Sequence, residues 1–382
     1  MSASDNNSRP PLRISGESIC AAIVRADAVG AGAGVESEAK KVVLKNIVLV
    51  SPALREANNG NWHTAHRWEN FLSDHFDTTL LRQWPETSGE LTSIKKPQLM
   101  IALHARRSAA SIQAWADAWP GKPLVLVLTG TDLYRDINSD AVAQKSLALA
   151  THIVVLQDAG LAAVPEAWRS KTSVIYQSAA KLVPAAKSSR HFRAVMVGHL
   201  REEKDPLTFM KAAGHDHKKG VQFVQIGDAL EPPLATAAEV TARNTPRYRW
   251  LGGLSRAITR QHIKRAHVLV NCSVMEGGAQ VILEAIQSGT PVLASRISGN
   301  IGMLGADYAG YFEPGDDLQL AALVRRCAAE PDFLALLQRQ CLQRAPLFQP
   351  EREKSLVLNL VQGQIQHQIY SALCASHPKD PP

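Results

Sequence analysis

Aromatic residues supply only 5% of this 382-residue chain. They are not interleaved with Lys and Arg, so the stacking platform that grips single-stranded nucleic acid is missing. Cysteine is equally scarce, with Cys20, Cys272, Cys327, Cys341 and Cys374. Five is an odd number, and the spacings match neither a metal knuckle nor a disulfide framework, which predicts free thiols in a reducing compartment. Cys272 reads as a packed thiol at a strand end rather than a nucleophile. No apolar run approaches the ~20 residues a membrane span needs. No secretory leader is recognised either, so the expectation is a cytoplasmic protein without membrane insertion. An Asp-x-Asp ligand pair is also missing, and the sequence predicts no metal and no cofactor.

What is present is a moderately basic chain, +7 with a pI near 9.2. Its Lys and Arg are scattered, which suits an anionic small molecule better than nucleic acid. With 45% hydrophobic residues the chain can bury two ordinary cores, hence two domains. Residues 1–45 lack sustained periodicity and read as an extension with one short helix around Ile19 to Ala26. From Asn46 apolar runs alternate with helical patterns: IVLVSP, LMIAL (99–103), LVLVL (124–128) and IVVL (153–156), each followed by a loop and a helix. That alternation predicts a parallel sheet covered by helices over 46–180. A polar, small-residue linker occupies 181–190, within the stretch Ser178 to Arg190. The pattern then repeats over 191–349, in AVMVGHL (194–200), VQFVQIGD (221–228) and YRWLGGL (248–254). A last helix at 350–375 is placed to cross back onto the first domain. The expected fold class is α/β, two Rossmann-like doubly wound domains facing across a cleft, with strand carboxyl ends lining it.

The most informative segment is Ser273 to Val292, SVMEGGAQVILEAIQSGTPV. Seven residues separate Glu276 from Glu284. Val268–Asn271 reads as a buried strand and Gln280 to Ser288 as a helix ended by Gly289 and Pro291. Gly277 and Gly278 fall in the turn between them, where the backbone can approach a ligand. Two such carboxylates are usually surface charges, but Val281, Ile282, Leu283, Ala285 and Ile286 surround Glu284, so its helix must edge a cleft. One carboxylate can then take a ribose diol and the other a second polyol, which suits a nucleotide-sugar.

Other strand-end loops add candidates. Lys204, with Arg201 and His199 as helpers in the loop after Gly198, is placed to neutralise a diphosphate. Gly227, Asp228, Gly252 and Gly253 end the next strands. In the first half Asn58 and Asn59, Gly60 and Asn61 follow strand one. His104, Arg106 and Arg107 follow the next strand, and Thr129 to Asp132 the one after. These supply an anionic acceptor's contacts, with Asp132 alternatively capping a helix.

VGHLREEKDP, then GG, then S-x2-E-GG-x3-ILEA-x3-GTPV resembles the retaining GT-B glycosyltransferases of the family 4 type, over roughly residues 46 to 375. The resemblance implies a nucleoside-diphosphate-sugar site in the second domain. Glu284 would hold the ribose and Glu276 the sugar, while Gly277, Gly278 and Ala279 offer amides and Lys204 holds the diphosphate. The chain departs from the family pattern at His199, where Arg is usual, and at Thr129, where His is common. Thr cannot take a proton near neutral pH.

NNGNWHTAHRW, ALHARRSA and LTGTDLYRD resemble one branch more closely, the selenosugar synthases of bacterial selenoneine biosynthesis. They join a UDP-sugar (UDP-GlcNAc or UDP-glucose) to selenophosphate through a carbon–selenium bond. Such an anionic nucleophile needs no strong base. It needs cations, which His104, Arg106, Arg107 and Arg55 are placed to provide. The alternatives are a transferase of the same fold acting on a lipid or polysaccharide hydroxyl, and a non-catalytic nucleotide-sugar sensor.

Overall fold

The computed structural model describes residues 45–376 except 58, 86–95 and 216–219. The extension read at 1–45 lies outside the described residues but for Lys45, as does Asn58. The described residues belong to one compact unit. It contains two sheets, each six-stranded and wholly parallel.

The first sheet comprises β1 (Lys45–Val50), β2 (Phe76–Leu81), β3 (Leu99–Leu103), β4 (Leu124–Val127), β5 (His152–Val155) and β6 (Thr172–Val174). Its spatial order is β2-β1-β3-β4-β5-β6. Successive residues feed opposite faces, as the two-residue period of a strand requires. Val48, Val50, Met100, Ala102, Leu124 and Leu126 join the core on one side. Ile47, Leu49, Leu99, Ile101, Leu103 and Val125 join that on the other. A strand buried on both faces has to be apolar throughout. The second core is completed by Val357, Val361 and Ile365 of the long helix Pro350–Ser376.

The second sheet holds β7 (Phe192–Val197), β8 (Val221–Ile226), β9 (Tyr248–Trp250), β10 (Val268–Asn271), β11 (Val292–Ser295) and β12 (Tyr311–Phe312), in the order β12-β11-β10-β7-β8-β9. This is a doubly wound sheet, and the expected architecture is what the chain adopts. The order reverses between β1 and β3 in one sheet and between β7 and β10 in the other. At such a switch point the outgoing loops diverge and leave a crevice outside the strand ends. In the second sheet Met196 pairs with Val270, so the loops after β7 and β10 leave side by side.

Three strands went unanticipated: β2, β6 and β12. All are short or edge strands whose residues are largely half-exposed, so none carries the continuous apolar run that marks a central strand. The helix expected after TGTDLY instead starts as a wide π-helical turn at Asp132–Asp136 and becomes regular at Ala141–Leu149.

Candidate functional site

A cavity of about 420 Å³ lies at the two switch points. The second sheet contributes the loops after β7, β8, β9 and β10; the first contributes the start of the Gly60–Leu72 helix and the loops after β3, β4 and β5.

Lys204 is delivered by a turn. Residues Glu202–Lys204 form a single 3₁₀ turn stopped by Asp205, whose φ of 43° is left-handed and whose carboxylate caps the next helix through Thr208. The Val274 N–H donates to the Glu203 carbonyl at 3.0 Å, tying the β7 loop to the β10 loop. Lys204 Nζ then lies 2.5 Å from Glu276 Oε1. The same oxygen accepts from Ser273 Oγ at 2.6 Å and from Asn271 Nδ2 at 3.3 Å. Burial alone would raise the Glu276 pKa. The charge and hydrogen bond of Lys204, helped by Ser273 and Asn271, outweigh it and hold the carboxyl below its ordinary value. The side chain is therefore an anion at neutral pH.

Glu284 sits within the Gln280–Ile286 helix and is only 4% exposed. Arg256 Nε donates to it at 2.9 Å and Gln280 Nε2 at 3.4 Å. Glu276 and Glu284 are thus each held by one cation. Arg256 escaped notice in the sequence because it stands in the first turn of a helix, where a basic residue has no local reason to be. Its position after the Leu251-Gly-Gly turn at a strand end was the available signal.

Gly277 and Gly278 line the cavity, and their missing side chains do a further job there. A Cβ on Gly277 would fall 2.3 Å from the Thr129 carbonyl oxygen, and one on Gly278 would fall 2.8 Å from Leu156 Cβ. These two glycines let the first domain's loops pack onto the β10 loop. Gly227, with φ +148°, admits the Gly198 carbonyl in the same way, since a Cβ there would lie 1.9 Å from that oxygen.

Of the remaining second-domain candidates, Gly198, His199, Arg201 and Gly253 line the cavity, whereas Gly252 and Ala279 do not. Arg201 Nε is 3.8 Å from Glu203, and His199 Nδ1 is 3.9 Å from Asp228. Cys272 is fully buried, and burial with Asp205 nearby pushes its thiol well above the ordinary value, which leaves it protonated and inert.

On the first-domain wall the cavity meets Asn59, Gly60, Asn61, His104, Arg107 and Thr129. Asn59 Oδ1 caps the Gly60–Leu72 helix by accepting from the Trp62 N–H. Three readings need correction. Asp132 is fully buried, and its carboxylate accepts the N–H groups of Ala105, Thr129 and Gly130. It shapes two loops and neither contacts an acceptor nor caps the following helix. Arg106 turns to Asp136, at 3.0 Å, and together with Arg55 is absent from the cavity lining. His104 is not a cation: it is 2% exposed, its Nδ1 accepts from the Arg107 N–H and its Nε2 donates to Thr131 Oγ1. Burial first, then the opposing charges of Asp132 and Arg107, leaves its pKa lowered.

His63, which sequence reasoning passed over, also lines the cavity. Burial, followed by Arg256, Arg67 and His66, lowers its pKa to about 4. Among the described residues no three His, Cys, Asp or Glu side chains gather closely enough to hold a metal ion.

Residues 191–330, which contain Lys204, Glu276 and Glu284, match the family described as Glycosyl transferases group 1. Glycosyltransferase 1 domain-containing protein 1 of Xenopus tropicalis is 29% identical over 193 residues, 47% of this chain. The match spans about half, 54%, of that relative's length. Among solved structures, sucrose-phosphate synthase from Thermosynechococcus elongatus superposes with a TM-score of 0.67 at 16% identity, over 86% of this chain and all of its own. Anabaena HepE in complex with UDP and glucose gives 0.66 at 16% identity, over 84% of this chain and all of its own. At these identities the likeness is one of fold, and the fold is GT-B. No helix among the described residues is long and apolar enough to cross a membrane.

Proposed function

We propose that the chain is a glycosyltransferase that moves a sugar, N-acetylglucosamine or glucose, from its UDP carrier to selenophosphate. The observation that carries the donor half is the convergence of Lys204, Glu276 and Glu284 on one cavity at a switch point, inside the segment that matches the transferase family. A nucleoside diphosphate there would place its ribose hydroxyls on Glu284 and its sugar on Glu276. Lys204, with Arg201 and His199 beside it, would meet the charge that grows on the departing diphosphate. Those side chains take the neutralising part that a metal plays elsewhere.

The opposite wall supports the acceptor half of this reading. Among the described residues no Asp or Glu of the first domain lines the cavity, and its two histidines there, His63 and His104, have lowered pKa values. An imidazole that titrates near 4 is a poor base for a hydroxyl at neutral pH. Arg107, by contrast, is an exposed cation on that wall. This favours a nucleophile that arrives already anionic, as selenophosphate does. Its selenium lone pair forms the C–Se bond while the anomeric C–O bond breaks and that electron pair leaves with UDP.

The test mixes the protein with UDP-N-acetylglucosamine or UDP-glucose, with selenophosphate or with a hydroxyl acceptor, and follows UDP release and the selenium NMR signal. Selenophosphate-dependent release with a new carbon-bound selenium resonance is expected. Release at the same rate without selenophosphate refutes the acceptor, and failure to bind UDP refutes the donor half. Arg107→Ala should raise the KM for selenophosphate and leave UDP affinity unchanged.

A further inference from the structure

A second cavity, of about 460 Å³, lies beside the first and shares Arg256 with it. It is walled by Arg67 and Phe71 of the Gly60–Leu72 helix, by Arg256 and Arg260 of the Arg256–Arg265 helix, and by Ala180 and Pro350. Ala180 and Pro350 belong to the two segments in which the chain passes between the sheets. The cavity therefore sits where the domains are joined, with guanidinium groups reaching it from both.

The three arginines are not equally compensated. Arg67 is held by Glu353, through Nε at 2.7 Å and Nη2 at 3.0 Å, and its Nη1 donates to the His63 carbonyl. Arg256 is held by Glu284. Arg260 donates through Nη2 to the Ala180 carbonyl at 2.5 Å, but its buried Nε has no hydrogen-bond partner, and no carboxylate pairs with it among the described residues. Burial lowers its pKa, Glu284 opposes the shift and Arg256 adds to it, so the charge is held at a cost. A buried donor without a partner calls for one. Guanidinium groups meet phosphate-type oxyanions with charge-assisted, often bidentate bonds.

We propose that this cavity is a binding site for a phosphate-class oxyanion, held chiefly by Arg260 and bridged to the first domain by Arg67. It is coupled to the donor site through Arg256. An anion in the second cavity draws Arg256 toward itself and away from Glu284, whose carboxylate is then free to accept from a ribose. Anion and nucleotide consequently favour each other, and the coupling is reciprocal. The anion site stands on the arginine cluster alone; the coupling rests on the donor reading given above.

The experiment uses the full chain and inorganic phosphate, titrated against chloride at constant ionic strength. Thermal unfolding without nucleotide reads the site, and calorimetric UDP binding with and without phosphate reads the coupling. Wild type should show a saturable upward shift in Tm, and UDP should bind several-fold tighter at saturating phosphate. Arg260→Met should weaken phosphate binding about tenfold, the scale of one lost hydrogen bond to a charged group, while UDP affinity in chloride is unchanged. Arg260→Lys should recover part of the response. An equal phosphate shift in wild type and Arg260→Met, or none in wild type, overturns the site. A phosphate shift that depends on Arg260 with UDP affinity indifferent to phosphate overturns the coupling. Absence of any UDP binding would count against the donor reading and not against the anion site.

Discussion

Replacing Lys204 by Met converts a buried ion pair into a lone buried carboxylate. The two side chains are only 19% and 9% exposed, so solvent screens the pair little. Removing one member of such a pair costs about 3–5 kcal/mol. Because Ser273 and Asn271 still donate to Glu276, the lower end, about 3 kcal/mol, is expected near pH 7. The pH dependence gives the sharper test. In the wild type the Glu276 pKa lies below its ordinary 4.5, so the pair's contribution is full above that value and is lost as pH falls through the folded pKa. In Lys204→Met burial acts without the main term opposing it, and the carboxyl must titrate above its ordinary value. Protonation then relieves the variant as the pH falls from about 7 to about 5, while the wild type still keeps its pair. Urea unfolding of both proteins at these two pH values measures the difference. It should shrink by roughly half or more on acidification, and Lys204→Met combined with Glu276→Gln should recover most of the loss near pH 7. An equal loss at both pH values, or a double variant no better than the single, would refute the account of Glu276 as an anion held by Lys204.

Other consequences are simpler to check. Glu284→Gln should weaken UDP binding about tenfold or more, as a charged acceptor becomes a neutral amide, with little change in stability because its partner Arg256 is 37% exposed. Titration calorimetry and urea unfolding separate the two effects. Gly60→Ala and Gly277→Ala should diverge: nothing lies within 4 Å of a Cβ at Gly60, whereas one at Gly277 meets the Thr129 carbonyl. The first should keep or slightly raise stability, and the second should lose about 1–3 kcal/mol through overpacking. If Gly60→Ala nevertheless loses UDP-sugar turnover, a ligand approaches that backbone. The imidazole of His63 should titrate by NMR near 4 rather than 6.5. Since its folded pKa is depressed, its contribution to stability is present above 6.5 and is lost as pH falls through about 4. A midpoint near 6.5 would show that His63 does not share a buried wall with Arg256.

Much of the architecture was legible because local patterns carry it. A central parallel strand must be apolar on both faces, so β3, β4 and β10 announce themselves, and β1 nearly so. Edge strands such as β2 and β6 need no such run and were invisible. The Glu276–Glu284 spacing around two glycines and an apolar helix likewise marked a cleft-edge helix, since a carboxylate amid five apolar neighbours has nowhere else to point.

Tertiary structure decided which charges meet. Arg256 reaches Glu284 from the helix that precedes β10 in the chain, and Glu353 reaches back across the chain to Arg67, Trp68 and Ser178. Neither pairing leaves a trace in residue spacing. The same holds for protonation: His104 reads as a cation by type, yet burial with an N–H aimed at Nδ1 makes it a neutral donor. Periodicity is a property of neighbouring residues, so the sequence by itself determined the two sheets and the Glu276–Glu284 motif. Desolvation and Coulomb energy sum over whatever the fold brings near. Only the tertiary structure could therefore decide that Glu276 and Glu284 each have their own cation, and that the Arg260 guanidinium beside them pairs with no acid among the described residues.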